Sequence, residues 1–156
     1  MDSTRRNDHP FVVLMADDDE DDCLFVELAF QEMGIAHDLH FVDDGPELLD
    51  YLYDEGGFSD REGHPRPDLI LLDLNMPLMD GREALKRIKS DPALKDIPVL
   101  VLTTSRDKDD INVTRLAGAS SFLPKPEVFE DLIEKLSRFC HAVIHNPNVP
   151  FIVMEN

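Results

Sequence analysis

Basic residues are scarce in this chain: fifteen Lys and Arg stand against thirty-three Asp and Glu, a net charge of −18 at pH 7. A surface of that sign repels phosphate backbones and anionic lipid, which argues against nucleic acid or a membrane surface as a partner. Cysteine is nearly absent. Cys23 and Cys140 fall in helix-like stretches without a pairing pattern, so two reduced thiols in a cytoplasmic protein are expected. No apolar run approaches the roughly 20 residues that a spanning helix needs. The opening "MDSTRRNDHP" also lacks the apolar stretch of a secretory signal.

What is present is enough apolar material, 42% of 156 residues, for one domain around a single core. Five short runs read as strands: "FVVLMA" (11–16), "DLHFV" (38–42), "LILLD" (69–73), "VLVLT" (99–103) and "SFLPK" (121–125). The first, third and fourth are almost continuously apolar, as central parallel strands covered on both faces should be. The second and fifth read as outer strands, with Pro124 suited to an edge or a strand end.

Helical spacing fills the gaps. It predicts helices over 21–33 (Leu24, Phe25, Leu28, Phe30), 45–54 (Leu48, Leu49, Leu52), 81–91 (Ala84, Leu85, Ile88), 107–117 (Ile111, Leu116, Ala117) and 127–144 (Leu132, Ile133, Leu136, Phe139, Cys140). Gly34 and Gly118 supply stops, and Pro46 suits a first turn. Phe25, Phe30 and Phe129 are expected in the core. Five β-α units in succession imply an α/β fold, a parallel sheet doubly wound with helices on both faces, with the strand order left open. Segment 55–67 reads as a polar excursion. The tail "NPNVPFIVMEN" (146–156) is too apolar for a disordered end and is expected to pack on something.

In open parallel sheets ligands sit beyond the carboxyl ends of the strands. Collected there are Asp17, Asp18 and Asp19 after strand one, Asp73 after strand three, Thr103, Thr104 and Ser105 after strand four, and Lys125 after strand five. Each has an ordinary reading taken singly, as a turn residue, helix cap, strand threonine or surface lysine. Together they make a different pattern. Crowded carboxylates at Asp17, Asp18 and Asp73 repel one another, and a divalent cation such as Mg²⁺ relieves that repulsion while leaving room for phosphate oxygens. Lys125 would balance charge opposite, and Thr103 with amides near Asn75 and Thr104 would add donors. Asp73 then reads as a carboxylate nucleophile that accepts a phosphoryl group.

At this point the sequence resembles the response-regulator receiver domains of two-component systems, of the chemotaxis-regulator type, over residues 10–145. "LMADDDEDD" matches the acidic pair, giving Asp17 and Asp18 as metal ligands, and "LLDLNMPLMDG" matches the phosphoacceptor segment, giving Asp73 that role. The resemblance further implies metal binding by the Asn75 backbone carbonyl, a hydroxyl switch at Thr103, a backbone amide at Thr104, and an aromatic switch at Phe122. It also implies a phosphate-pairing lysine at Lys125, a cis Lys125–Pro126 bond, and the flavodoxin-like sheet order 2-1-3-4-5. The implied function is signalling: a sensor histidine kinase passes its phosphoryl group to Asp73 in a Mg²⁺-dependent phosphorelay, and Thr103 and Phe122 then move to remodel the face of the fourth helix, fifth strand and fifth helix. No enzyme activity is expected beyond self-phosphotransfer and slow autodephosphorylation.

The 55–67 insertion, with "LFVELAFQEMG" and "DDGPELLDYL", resembles stand-alone regulators paired with phytochromes, which implies a phytochrome as kinase and a homodimer, with the 146–156 tail as a dimer arm. No output domain is expected after the fifth helix. Two alternatives stand beside this: a phosphorylation-independent interaction module of the same fold, and a haloacid-dehalogenase-like phosphatase, whose nucleophile would follow the first strand in a DxD pattern. His141 and His145 lie four apart on a helix without a third ligand, and His37, His40 and His64 have no nucleophile nearby, so none is expected to carry chemistry.

Overall fold

The computed structural model describes residues 10–148 and 152–153. Strands β1 (Phe11–Ala16), β2 (His37–Val42), β3 (Leu69–Leu72), β4 (Val99–Thr103) and β5 (Ser121–Pro124) alternate with helices α1 (Glu20–Met33), α2 (Gly45–Leu52), α3 (Gly81–Ser90), α4 (Lys108–Leu116) and α5 (Phe129–His145). The five strands pair in parallel in the order 2-1-3-4-5, the expected doubly wound sheet. A two-residue strand β6 (Ile152–Val153) adds a sixth, parallel to β5, with Ile152 opposite Ser121 and Val153 opposite Phe122. The fifth strand is therefore not an outer strand, and all four of its residues are buried. Residues 149–151 and 154–156 of the tail lie outside the described residues.

Strand parity divides the interior into two layers. Leu14, Ala16, Ile70, Leu72, Val99, Val101 and Phe122 meet α2 and α3 on one face. Val13, Met15, Leu69, Leu71, Leu100, Leu102 and Leu123 meet α1 and α5 on the other. By the same alternation Thr103 belongs to the α2–α3 layer and Lys125 to the α1–α5 layer, which matters for the site.

Two helices bury less than their spacing suggested. α1 turns Val26, Ala29 and Phe30 inward, while Phe25 is 47% exposed and Leu24 and Leu28 are exposed too. Phe25 instead stacks on half-buried Phe129, ring centroids 6.1 Å apart, so neither is a core residue in the sense expected. The reason is helical phase: Val26, Ala29 and Phe30 share one side of α1, while Leu24 and Leu28 fall on the opposite side and Phe25 at its flank. On α4 only Thr114 is fully buried and Leu116 is 79% exposed. The Lys125–Pro126 bond is trans, the form favoured by default before proline, since there is no cis peptide among the described residues.

The 55–67 excursion is not merely polar. Tyr51, at the end of α2, is buried and gathers Phe58 (5.3 Å), His64 (5.7 Å) and His40 (5.9 Å) around its ring. Its hydroxyl donates to the Pro65 carbonyl at 2.8 Å. Burial pushes the Tyr51 phenol up to about 12, so it remains a donor. Arg61 lies over the same ring, donates to the Leu52 and His64 carbonyls, and pairs with Asp54.

Candidate functional site

The acidic run after β1 divides its labour by helix geometry. Asp19 is the N-cap of α1, accepting from the Asp21 and Asp22 amides. Glu20 and Asp21 occupy the first turn, where the helix dipole favours carboxylates. Asp17 stays at the strand end, buried, while Asp18 is exposed beside it.

Backbone ladders carry the other site residues one step past their strands. The Asp17 amide donates to Val42 and the Asp73 amide to Ala16, each at 3.0 Å. The Lys125 amide donates to the Thr103 carbonyl at 2.7 Å. Asp73 is therefore set beside the end of β1 by main-chain bonds. Gly81 closes the structure behind it: a Cβ there would collide with the Asp73 carbonyl and the Leu74 backbone, so only glycine lets α3 start this close. The intervening loop turns tightly, with the Met79 amide donating to Pro77 at 2.8 Å and Leu78 at φ 70, 83% exposed.

Ligand oxygens of Asp17, Asp18 and Asp73 all lie within 4.8 Å of one another, the one such group of possible metal ligands among the described residues. Three carboxylates at that spacing, two of them buried, are a hard-oxygen donor set that suits Mg²⁺ or a similar cation. Burial, with a contribution from the Asp73 charge, raises the Asp17 pKa above its ordinary value, although Lys125 and the Asp19 amide oppose the rise. The cation that supplies opposition here is Lys125. Its Nζ lies 2.8 Å from Asp17 Oδ2, 3.8 Å from Asp73 Oδ2 and 2.5 Å from Asp22 Oδ2. Burial alone would lower the lysine pKa, but these carboxylates raise it overall, so Lys125 is a fixed positive charge.

Thr103 is fully buried, and its Oγ1 accepts weakly from the Ser105 amide at 3.4 Å. Ser105 in turn donates to Asp110, which Arg82 of α3 pairs at 2.7 Å. Thr104 and Asn75 are exposed, with the Asn75 amide 3.4 Å from Asp73 Oδ1. Phe122 is 0% exposed. An open cleft of about 290 Å³ borders Asp17 and Asp18, walled by α1 and β2 through Glu20, Leu24, Glu27 and Phe41. His141 bonds the Ser137 carbonyl on its own helix and joins no metal-ligating group.

Sequence reasoning assembled Asp17, Asp18, Asp73 and Lys125 correctly as neighbours but missed Asp22, the shortest partner of the lysine. A signal existed. Asp22 lies one turn before the buried residues Val26, Ala29 and Phe30, which puts it on the sheet-facing stripe of α1.

Comparison with known proteins agrees with this geometry. The family model of the response regulator receiver domain matches residues 13–137. Response regulator Rcp1 of a Synechocystis species is 39% identical over 125 residues, covering 80% of this chain and 83% of that protein. The solved structure of the Mn(2+)-bound form of Rcp1 superposes with a TM-score of 0.78 at 35% identity, covering 90% of this chain and 99% of that one. The phosphorylated cyanobacterial phytochrome response regulator RcpA superposes with a TM-score of 0.77 at 35% identity, covering 88% and 95%.

Proposed function

This chain belongs to the response regulator receiver family, and from that premise we propose that it accepts a phosphoryl group on Asp73 from a sensor histidine kinase. The observation that carries the reading is the convergence of Asp17, Asp18 and Asp73 within 4.8 Å, with the Lys125 ammonium 2.8 Å from Asp17 and 3.8 Å from Asp73. An Asp73 carboxylate oxygen attacks phosphorus, the bond from phosphorus to the donor nitrogen breaks, and the imidazole leaves. Lys125 pairs a phosphoryl oxygen, and the Thr103 hydroxyl with the Thr104 amide donates to others. Asp17, Asp18, Asp73 and the Asn75 carbonyl would hold Mg²⁺, which when bound neutralises the developing phosphoryl charge. Water later attacks phosphorus and returns the free carboxylate.

Thr103 and Phe122 lie in the same layer as α2 and α3 and are the proposed switch elements, with the Thr103 hydroxyl, which accepts from the Ser105 amide, donating its proton to a phosphoryl oxygen. A phytochrome-type kinase is the partner we propose, from the likeness to Rcp1 and RcpA, and a cytoplasmic location fits a chain in which no described helix is long and apolar enough to cross a membrane. A homodimer supported by the 146–156 tail is proposed with it, and light scattering on a chain lacking 147–156 should show a smaller mass. An unchanged mass refutes the arm.

The central test is the intact mass of the protein after incubation with Mg²⁺ and acetyl phosphate. One added phosphoryl group is expected, absent with EDTA and absent in Asp73→Asn. No gain in any sample would favour an interaction module that works without phosphorylation.

A further inference from the structure

We infer that Asp22 is a positioning residue for the phosphoryl site, an anion that holds the Lys125 ammonium against α1 and so competes with a phosphoryl group on Asp73 for it. The inference rests on the reading of Asp73 as phosphoacceptor and adds a residue to that site.

The geometry favours Asp22 over the acceptor. An ammonium offers three donors. Two are engaged at short range, by Asp22 at 2.5 Å and Asp17 at 2.8 Å, whereas Asp73 stands at 3.8 Å, beyond hydrogen-bond reach. Both partners of the Asp22–Lys125 pair are shielded, with the lysine side chain 14% and the Asp22 side chain 28% exposed, so solvent screens their attraction less than at an open surface. Lys125 and Asp22 also border one small cavity, lined besides by Phe25, Val26, Leu102, Pro126 and Leu132.

Asp22 shares the first turn of α1 with Glu20 and Asp21, where the helix dipole favours any carboxylate, but of the three it is the one paired with Lys125. Asp19 caps α1, and the carboxylates gathered for a cation are Asp17, Asp18 and Asp73, without Asp22. A carboxylate turned to a cation at Asp17 has less to offer Lys125, and Asp22 is then the remaining short-range partner on the α1 side. For Lys125 to engage a phosphoryl oxygen at Asp73, its Nζ must lengthen or leave the Asp22 contact. The strength of that contact therefore sets part of the affinity of the site for a phosphoryl group.

The test is the binding of beryllofluoride, a non-covalent phosphoryl mimic, to the full chain in saturating Mg²⁺, followed by calorimetry and by ¹⁹F NMR. Asp22→Asn is expected to bind about five- to tenfold more tightly than the wild type, a coupling of ordinary size for a contacting pair. Asp22→Ser should move in the same direction, and thermal unfolding checks that each variant is folded. A general loss of negative charge would also favour an anion, so the decisive arm is the double variant. In a Lys125→Ala background, Asp22→Asn should give no gain, because its effect passes through the lysine. Unchanged or weaker binding by Asp22→Asn, or a gain that survives in the Lys125→Ala background, would overturn the role of Asp22 alone. A wild type that binds no beryllofluoride in Mg²⁺ would overturn the phosphoacceptor reading beneath it.

Discussion

The rim at the strand ends and the 55–67 excursion are both insertions of polar residues into an otherwise apolar fold, yet they are held by opposite means. The excursion is knit by a buried aromatic ring: Tyr51 collects Phe58, His64, His40 and Arg61, and its hydroxyl is satisfied by Pro65. The rim collects groups that repel. Asp17, Asp18 and Asp73 sit within 4.8 Å of one another, and one lysine opposes them. Packing and satisfied hydrogen bonds stabilise the first region. The second is held by the backbone ladders of its strands, against the preference of its own charges. Substitutions should therefore uncouple stability from chemistry in opposite directions.

The largest expected effect is at the rim. Asp73→Asn should abolish phosphoryl uptake while leaving the thermal midpoint equal or higher, because it removes one of the crowded carboxylates. A large fall in stability would break the contrast. Next is Tyr51→Ala, expected to cost about 3–5 kcal/mol, the range for deleting a buried aromatic, measured by urea unfolding. Phosphoryl uptake per folded molecule should stay near the wild-type level.

The pH dependence of stability sharpens the comparison further. Burial raises the folded-state pKa of Asp17 above 3.8. Through the interval above that value the folded chain keeps a proton that the unfolded chain has lost, so the Asp17 contribution to stability falls as pH rises. In EDTA, Asp17→Asn should therefore gain stability relative to the wild type as pH moves from the carboxylate range toward neutrality. A gap that is constant with pH would contradict the burial argument. The smallest effect is Tyr51→Phe, which leaves the ring cluster intact but strips the Pro65 carbonyl of its donor, a loss of about 1 kcal/mol.

The sequence made the layers and the order of elements readable because central strands are continuously apolar and the helices have stripes. Its strand ends also named Asp73 and Lys125. Three things were hidden. The run "DDDEDD" contains two ligand candidates, a cap, two dipole-favoured residues and a lysine partner. Identical side chains take different roles there according to helix phase, which composition does not display. The apolar tail was readable as packing on something, but two residues of strand, Ile152–Val153, carry too little periodicity to place it beside β5. The Tyr51 cluster was obscured because the segment it organises is polar and rich in Gly and Pro, and only the fold brings Tyr51 and His40 to it.

The most direct test of the central claim is to locate the phosphoryl bond itself. After phosphorylation in Mg²⁺, borohydride reduces an aspartyl phosphate to homoserine, and peptide mass spectrometry shows which aspartate has changed. Conversion at Asp73 alone is the expected result. Conversion at Asp17, Asp18 or Asp22, or no conversion in a sample that has gained a phosphoryl group, would contradict it.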